Sequence, residues 1–202
     1  MRTSAGSLKR VALNATIYSF EINLSDVDRN VYQALAFRVA RHPSESEAYL
    51  ITRTLAYCLE YREGLSFSKG GLSDPDAPAL AVHDLTGALR RWIEVGLPEP
   101  ARLHRASKAS PEVAVYSHKD VGALLARLGS ERIHRAEEIQ FFTFDPQLIT
   151  SLTARLTRRM IIDLVITERQ IYLSLGGETI SGSLMRHSIS HAPVRFDESG
   201  GR

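Results

Sequence analysis

Between residues 88 and 156 the sequence alternates apolar runs of strand length with amphipathic runs of helix length, and this rhythm most restricts what the chain can become. ALRRWIEVG reads as a strand, Pro98 opens a helix over about Glu99 to Ala109, and EVAVYSH is a strand with an apolar centre. KDVGALLARLG follows as a helix closed by Gly129, EIQFFTF as a strand and PQLITSLTARL as a helix. Strands joined through helices can lie parallel, because the crossover carries the chain back to the starting edge. The predicted class is α/β (α+β): a mixed, partly parallel sheet flanked by helices.

Period-two patterns frame this region. In VALNATIYSFEINL the residues Tyr18, Phe20, Ile22 and Leu24 alternate with Ile17, Ser19, Glu21 and Asn23; Leu35, Phe37 and Val39 repeat the period after the turn residues SDVDRN. The two runs predict an N-terminal β-hairpin. MIIDLVIT, QIYLSL and ETISGSL predict a C-terminal β-meander with Gly176-Gly177 as a hairpin turn. Ser44 with Glu47 three residues later is a capping-box signature, predicting a helix from there to about Arg62. Its buried stripe is Ala48, Ile51, Leu55, Cys58 and Leu59. LSFSKGG reads as a short strand and SDPDAPA as a turn; ALAVHD and ALRRWIEVG then flank Leu85-Thr86-Gly87 as antiparallel strands.

The 202 residues suffice for one domain, expected over residues 9–185, with loose ends at 1–8 and 186–202. A net charge of +2 is too small for a general polyanion binder, so any nucleic-acid contact is local. The single cysteine excludes an internal disulfide and Cys58 reads as a core residue, which fits a reducing cytoplasm. MRTSAGSLKR lacks a signal-like apolar run and no segment approaches the ~18 apolar residues of a membrane span, so a soluble cytoplasmic protein with no membrane contact is expected. Phosphate-loop, dinucleotide and serine-hydrolase motifs do not occur.

The chemistry-bearing residues cluster around HDLTGALRRWIEVGLP. Alternation puts Leu89, Arg91, Ile93 and Val95 on one face of the strand, and Arg90, Trp92, Glu94 and Gly96 on the other. Asp84 and Glu94 flank the hairpin and meet only if it twists or bulges. Two readings stand: a hard-cation site, since Mg²⁺ takes oxygen ligands, or a turn-stabilising Asp and a solvated Glu. Glu45, at the expected first helical position, is a third acid that either faces a cleft or answers the helix dipole. Arg102 and Arg105 share one helix face and His104 and Lys108 the next. With His118 and Lys119 they form either a phosphate-holding patch or a solvated surface.

ARHPSES, HDLTGALRRWIEVGLP and RLHRASKASPEVAVYSH together resemble the YaeQ family of bacterial proteins, and NATIYSFEINLSDVDRNVY resembles its N-terminal hairpin. The resemblance reaches to about residue 184 and implies a variant of the PD-(D/E)xK, restriction-endonuclease-like fold. It implies a Mg²⁺ (or Mn²⁺) site of Asp84, Glu94 and the Val95 carbonyl, joined by Glu45, in a nuclease or phosphodiesterase acting on nucleic acid. Asp84, Glu94 and Arg105 would be catalytic; Ser44, Arg102, Arg105 and Lys108 would touch substrate. The sequence departs from the nuclease pattern at Gly96, where E-x-K has lysine, and at Arg105, where the family pattern as aligned has lysine. Arginine stays charged and cannot act as a base. The alternative is a catalytically inactive nuclease-fold protein that binds nucleic acid or a protein partner.

Overall fold

The computed structural model describes residues 15–68 and 77–189; the expected loose segment 1–8, the part of the expected 186–202 tail from residue 190 on, and most of the SDPDAPA turn lie outside them. The predicted hairpin forms from β1 (Thr16–Asp26) and β2 (Val31–Arg41), paired antiparallel along their full length. Alternation decides which side chains go inward: Tyr18, Phe20, Ile22 and Leu24 are buried, with Leu35 and Val39 opposite.

Helix α1 (Glu47–Leu59) follows, then β3 (Leu65–Phe67), β4 (Leu80–His83) and β5 (Leu89–Val95). Helix α2 (Pro100–Ala109), β6 (Glu112–Ser117), helix α3 (Gly122–Ser130), a 3-10 turn at Ala136–Glu138, β7 (Gln140–Phe144) and helix α4 (Pro146–Ala154) realise the strand-helix rhythm. β5, β6 and β7 are mutually parallel, as crossover helices require. The expected meander closes the order as β8 (Arg159–Thr167), β9 (Gln170–Leu175) and β10 (Glu178–His187). Strand β10 runs to His187, so residues 186 and 187 belong to the sheet and not to a loose tail.

Two pairings join these parts: β1 lies parallel to β8, and the end of β10 pairs with β7. The result is one ten-stranded sheet in the order β2-β1-β8-β9-β10-β7-β6-β5-β4-β3. It coils almost into a barrel. Phe37 on β2 and Phe67 on β3, the two edge strands, have ring centroids 5.5 Å apart, and Tyr57 of α1 stacks on Phe67 at 4.5 Å.

This coiling corrects the reading of α1. Every residue from Leu50 to Ala56 is buried, and consecutive residues separated by ~100° cover the whole circumference, so the helix is enclosed and not laid on one stripe. Ser46, not Ser44, caps it, accepting from the Tyr49 amide. The start moves two residues later because Glu45 is drawn inward before the helix begins. Helices α2 and α3 cover the other face of β5 and β6, where Trp92, Val113 and Val115 pack against Leu103, Ala106, Leu124 and Leu128. Ile93, Ala114 and Tyr116 face α1. Leu89 departs from the predicted face and packs with the Trp92 group, because the β4–β5 register shifts between Val82 and His83.

Candidate functional site

The two acids of the hairpin occupy opposite ends of β5. Asp84 sits in the turn, where His83 pairs with Leu89, whereas Glu94 lies beyond Ile93, which pairs with Leu80 at the start of β4. Glu94 lies five positions past Leu89, roughly 16 Å of strand at ~3.3 Å each. The register shift at Val82/His83 does not bring the carboxylates together.

Asp84 organises its turn. Its Oδ1 accepts from the Thr86 amide (2.9 Å), the Thr86 hydroxyl (2.6 Å) and the Ala88 amide (3.0 Å), and its Oδ2 from Arg90 Nε (2.6 Å). The Thr86 hydroxyl, then Arg90 and the amides, hold the carboxyl well below the usual range. All these donors stabilise the anion without a metal.

Glu94 is 4% exposed. Trp92, two residues earlier on the same face, donates Nε1–H to Oε1, and Arg102 from α2 donates Nε–H to the same oxygen at 2.7 Å. The Arg102 guanidinium also lies over the Trp92 ring, 5.8 Å from its centroid, and reaches the Ala77 carbonyl at 2.7 Å. Burial raises the Glu94 carboxyl above its ordinary value, while the Trp92 bond and the Arg102 charge oppose that shift. Glu45 is 3% exposed and faces Arg53, eight residues along α1, through two bonds of 3.2 and 3.1 Å. Burial is again the larger influence and raises its carboxyl. Tyr49 lies between the two ion pairs: it feels the charges of Glu45, Arg53, Glu94 and Arg102, and its own burial pushes the phenol up to about 12.

The expected convergence of Glu45, Asp84, Glu94 and the Val95 carbonyl on Mg²⁺ or Mn²⁺ is not found. Each acid is engaged by its own arginine, and among the described residues no group of three or more His, Cys, Asp or Glu side chains is arranged to hold an ion. As a set, these residues do not fit the metal. Val95 is buried in the parallel pairing with Tyr116. Gly96 has a physical reason to replace lysine: the chain leaves β5 at φ +92°, which L side chains rarely adopt.

Arg105 and Lys108 are exposed on α2, whereas Arg102 turns inward to Glu94. Ser44 is exposed and its hydroxyl lies 2.6 Å from His42 Nδ1. Sequence reasoning missed Arg53 as the partner of Glu45 and Arg102 as the partner of Glu94, but it placed Trp92 beside Glu94. That placement followed from alternation, because a residue two positions along a strand shares the face.

The described residues therefore define a mixed α+β protein whose large, nearly closed sheet encloses one helix and whose buried acids are paired with arginines. The YaeQ protein family model matches residues 11–184, and the chain belongs to the YaeQ family. It is 29% identical over 165 residues to the uncharacterised YaeQ protein of Escherichia coli (strain K12), covering 81% of this chain and 91% of that one; a Salmonella typhi relative matches to the same extent. The crystal structure of YaeQ protein from Pseudomonas syringae superposes with a TM-score of 0.78 at 28% identity, over 88% of this chain and 98% of the other. That from Xanthomonas axonopodis pv. citri gives 0.78 at 27%, over 87% and 99%. No described helix is long and apolar enough to cross a membrane.

Proposed function

We propose that this protein binds nucleic acid through the exposed basic face of α2 without cleaving it. The supporting observation is that Arg105 and Lys108 are exposed and have no acidic partner among the described residues, beside an Arg102 fixed by Glu94 and Trp92. Cations not already neutralised by neighbouring acids can release counterions from a phosphate backbone. The engagement of Asp84, Glu94 and Glu45 by arginines favours binding over metal-assisted hydrolysis. Arg105, fixed in its charge, is suited to hold a phosphate and not to take a proton.

The test is fluorescence anisotropy with labelled single- and double-stranded DNA and RNA, with and without Mn²⁺, followed by electrophoresis of the oligonucleotides. The expected result is salt-sensitive binding without cleavage. The double variant R105Q/K108Q should weaken binding about tenfold and lower the salt slope by ~1 to 2. Binding unchanged in that variant overturns the reading.

A further inference from the structure

Two hairpin turns of the meander share one backbone geometry and differ in sequence. The β9–β10 turn is Gly176-Gly177 at φ +58° and +85°, the pair that a two-residue turn with left-handed positions favours. The β8–β9 turn, closed by Thr167 opposite Gln170, places Glu168 and Arg169 at φ +50° and +60°. Non-glycine residues rarely occupy that region, and two in succession persist only where the surroundings hold them. Here Asp28, from the β1–β2 turn, accepts from the Glu168 amide at 2.7 Å and the Arg169 amide at 3.0 Å. The Arg169 carbonyl accepts from the Leu184 amide at 2.8 Å. The chain thus keeps an arginine where glycine would fit more easily, and a carboxylate clamps it in place.

That arginine lines a cavity of about 250 Å³ with Arg186, His187, Ser188, Glu137 and Ile139. The neighbouring Arg135 is matched by an acid, Glu138. Arg169 and Arg186 have no ion pair among the described residues, although they border the same space. Two like charges around one cavity repel unless an anion comes between them. His187 is anchored by the Thr143 hydroxyl, 2.8 Å from Nε2, which leaves Nδ1 as its other hydrogen-bonding atom. Glu137 supplies the single acid in the lining.

We propose that this cavity binds a phosphomonoester, its phosphate taken by Arg169 and Arg186. Two guanidinium forks match the geometry and charge of a phosphate dianion. Glu137 accepts from a hydroxyl of the group that carries the phosphate, so an organic phosphate binds more tightly than the inorganic ion. The phosphate comes from a free sugar phosphate or from the 5′ end of an oligonucleotide. This site is separate from the basic face of α2.

The test is titration of the ¹⁵N-labelled full chain with inorganic phosphate, ribose 5-phosphate, and a trinucleotide with and without a 5′-phosphate, followed by amide shifts. Saturable shifts at residues 168–169 and 186–188 are expected, strongest with an organic phosphate. Arg169→Gly should leave the turn relaxed and the melting temperature unchanged or higher, yet weaken binding about tenfold, as should Arg186→Gln. Asp28→Ala should weaken it a few-fold by freeing the turn. R105Q/K108Q should leave it unchanged, so failure here and failure of the α2 reading are told apart. No saturable shift at these residues in the native chain, or affinity unaltered by Arg169→Gly and Arg186→Gln, overturns the proposal.

Discussion

The two ends of β5 carry the same pairing, a carboxylate with an arginine, in opposite surroundings. At the turn, Asp84 is solvated and receives four hydrogen bonds, three of them from its own turn residues. At the far end, Glu94 is buried and depends on one indole and on an arginine from another element. The environment shifts the two carboxyls in opposite directions from their ordinary values: the hydrogen bonds lower Asp84, and burial raises Glu94. An acid well satisfied by local donors shapes the backbone. One held in a dry pocket by a distant cation couples two elements, here β5 and α2.

The comparison is most sharply tested where burial is deepest. Glu45 and Arg53 have side chains 0% and 3% exposed, and Arg53 Nε already lacks a partner. Glu45→Ala would leave the guanidinium with only the Ala40 carbonyl among its described hydrogen-bond partners. Removing one partner of a buried pair costs about 3–5 kcal/mol. Urea unfolding should show a loss of that order, and a loss no greater than for an exposed pair would mean that the enclosed helix admits water.

Glu94→Gln is the intermediate case. The glutamine oxygen still accepts from Trp92, so the expected loss is about 1–2 kcal/mol, with a change in the Trp92 fluorescence. The pH dependence supplies the sign. Burial lifts Glu94 above its ordinary 4.5, so between that value and the folded one the folded chain holds more protons than the unfolded. Its contribution is therefore fully present below 4.5 and falls as pH rises through the folded value. The advantage of the native chain over Glu94→Gln should shrink on going from pH 4 to pH 7. An advantage that grows instead would mean that the Arg102 charge outweighs burial.

Much of this arrangement was legible in the sequence, for definite reasons. Period-two alternation gave the β1–β2 hairpin and placed Trp92 beside Glu94, because side-chain direction in a strand is a local property. Gly176-Gly177 marked its turn for the same reason. The parallel β1–β8 contact and the closing of β10 on β7 are pairings between residues far apart, which no window of sequence encodes. They coil the sheet around α1, and so a helix read as amphipathic proved to be enclosed. The misplacement of Glu45 follows from that. Ser44 and Ser46 both satisfy a local capping rule, and burial of Glu45 against Arg53 decided between them. Likewise, which arginine reaches Glu94 depends on how α2 rests on β5, and Arg102, not Arg105, faces inward.

Asp84→Asn should give the smallest effect of the three, and its pH signature should run the other way. The Asp84 side chain is 24% exposed and that of Arg90 61%, so solvent screens their attraction. Asparagine can still accept from the Thr86 and Ala88 amides, which keeps the turn. The melting temperature near pH 7 should fall by no more than a few degrees. Because the folded carboxyl lies below its ordinary 3.8, the native contribution is present above that value and is lost as pH falls toward the folded one. Thermal melts of the native chain and the variant should therefore converge under strong acid, whereas those of the native chain and Glu94→Gln diverge. A drop for Asp84→Asn at neutral pH as large as that for Glu94→Gln would place Asp84 in a role that its turn does not explain.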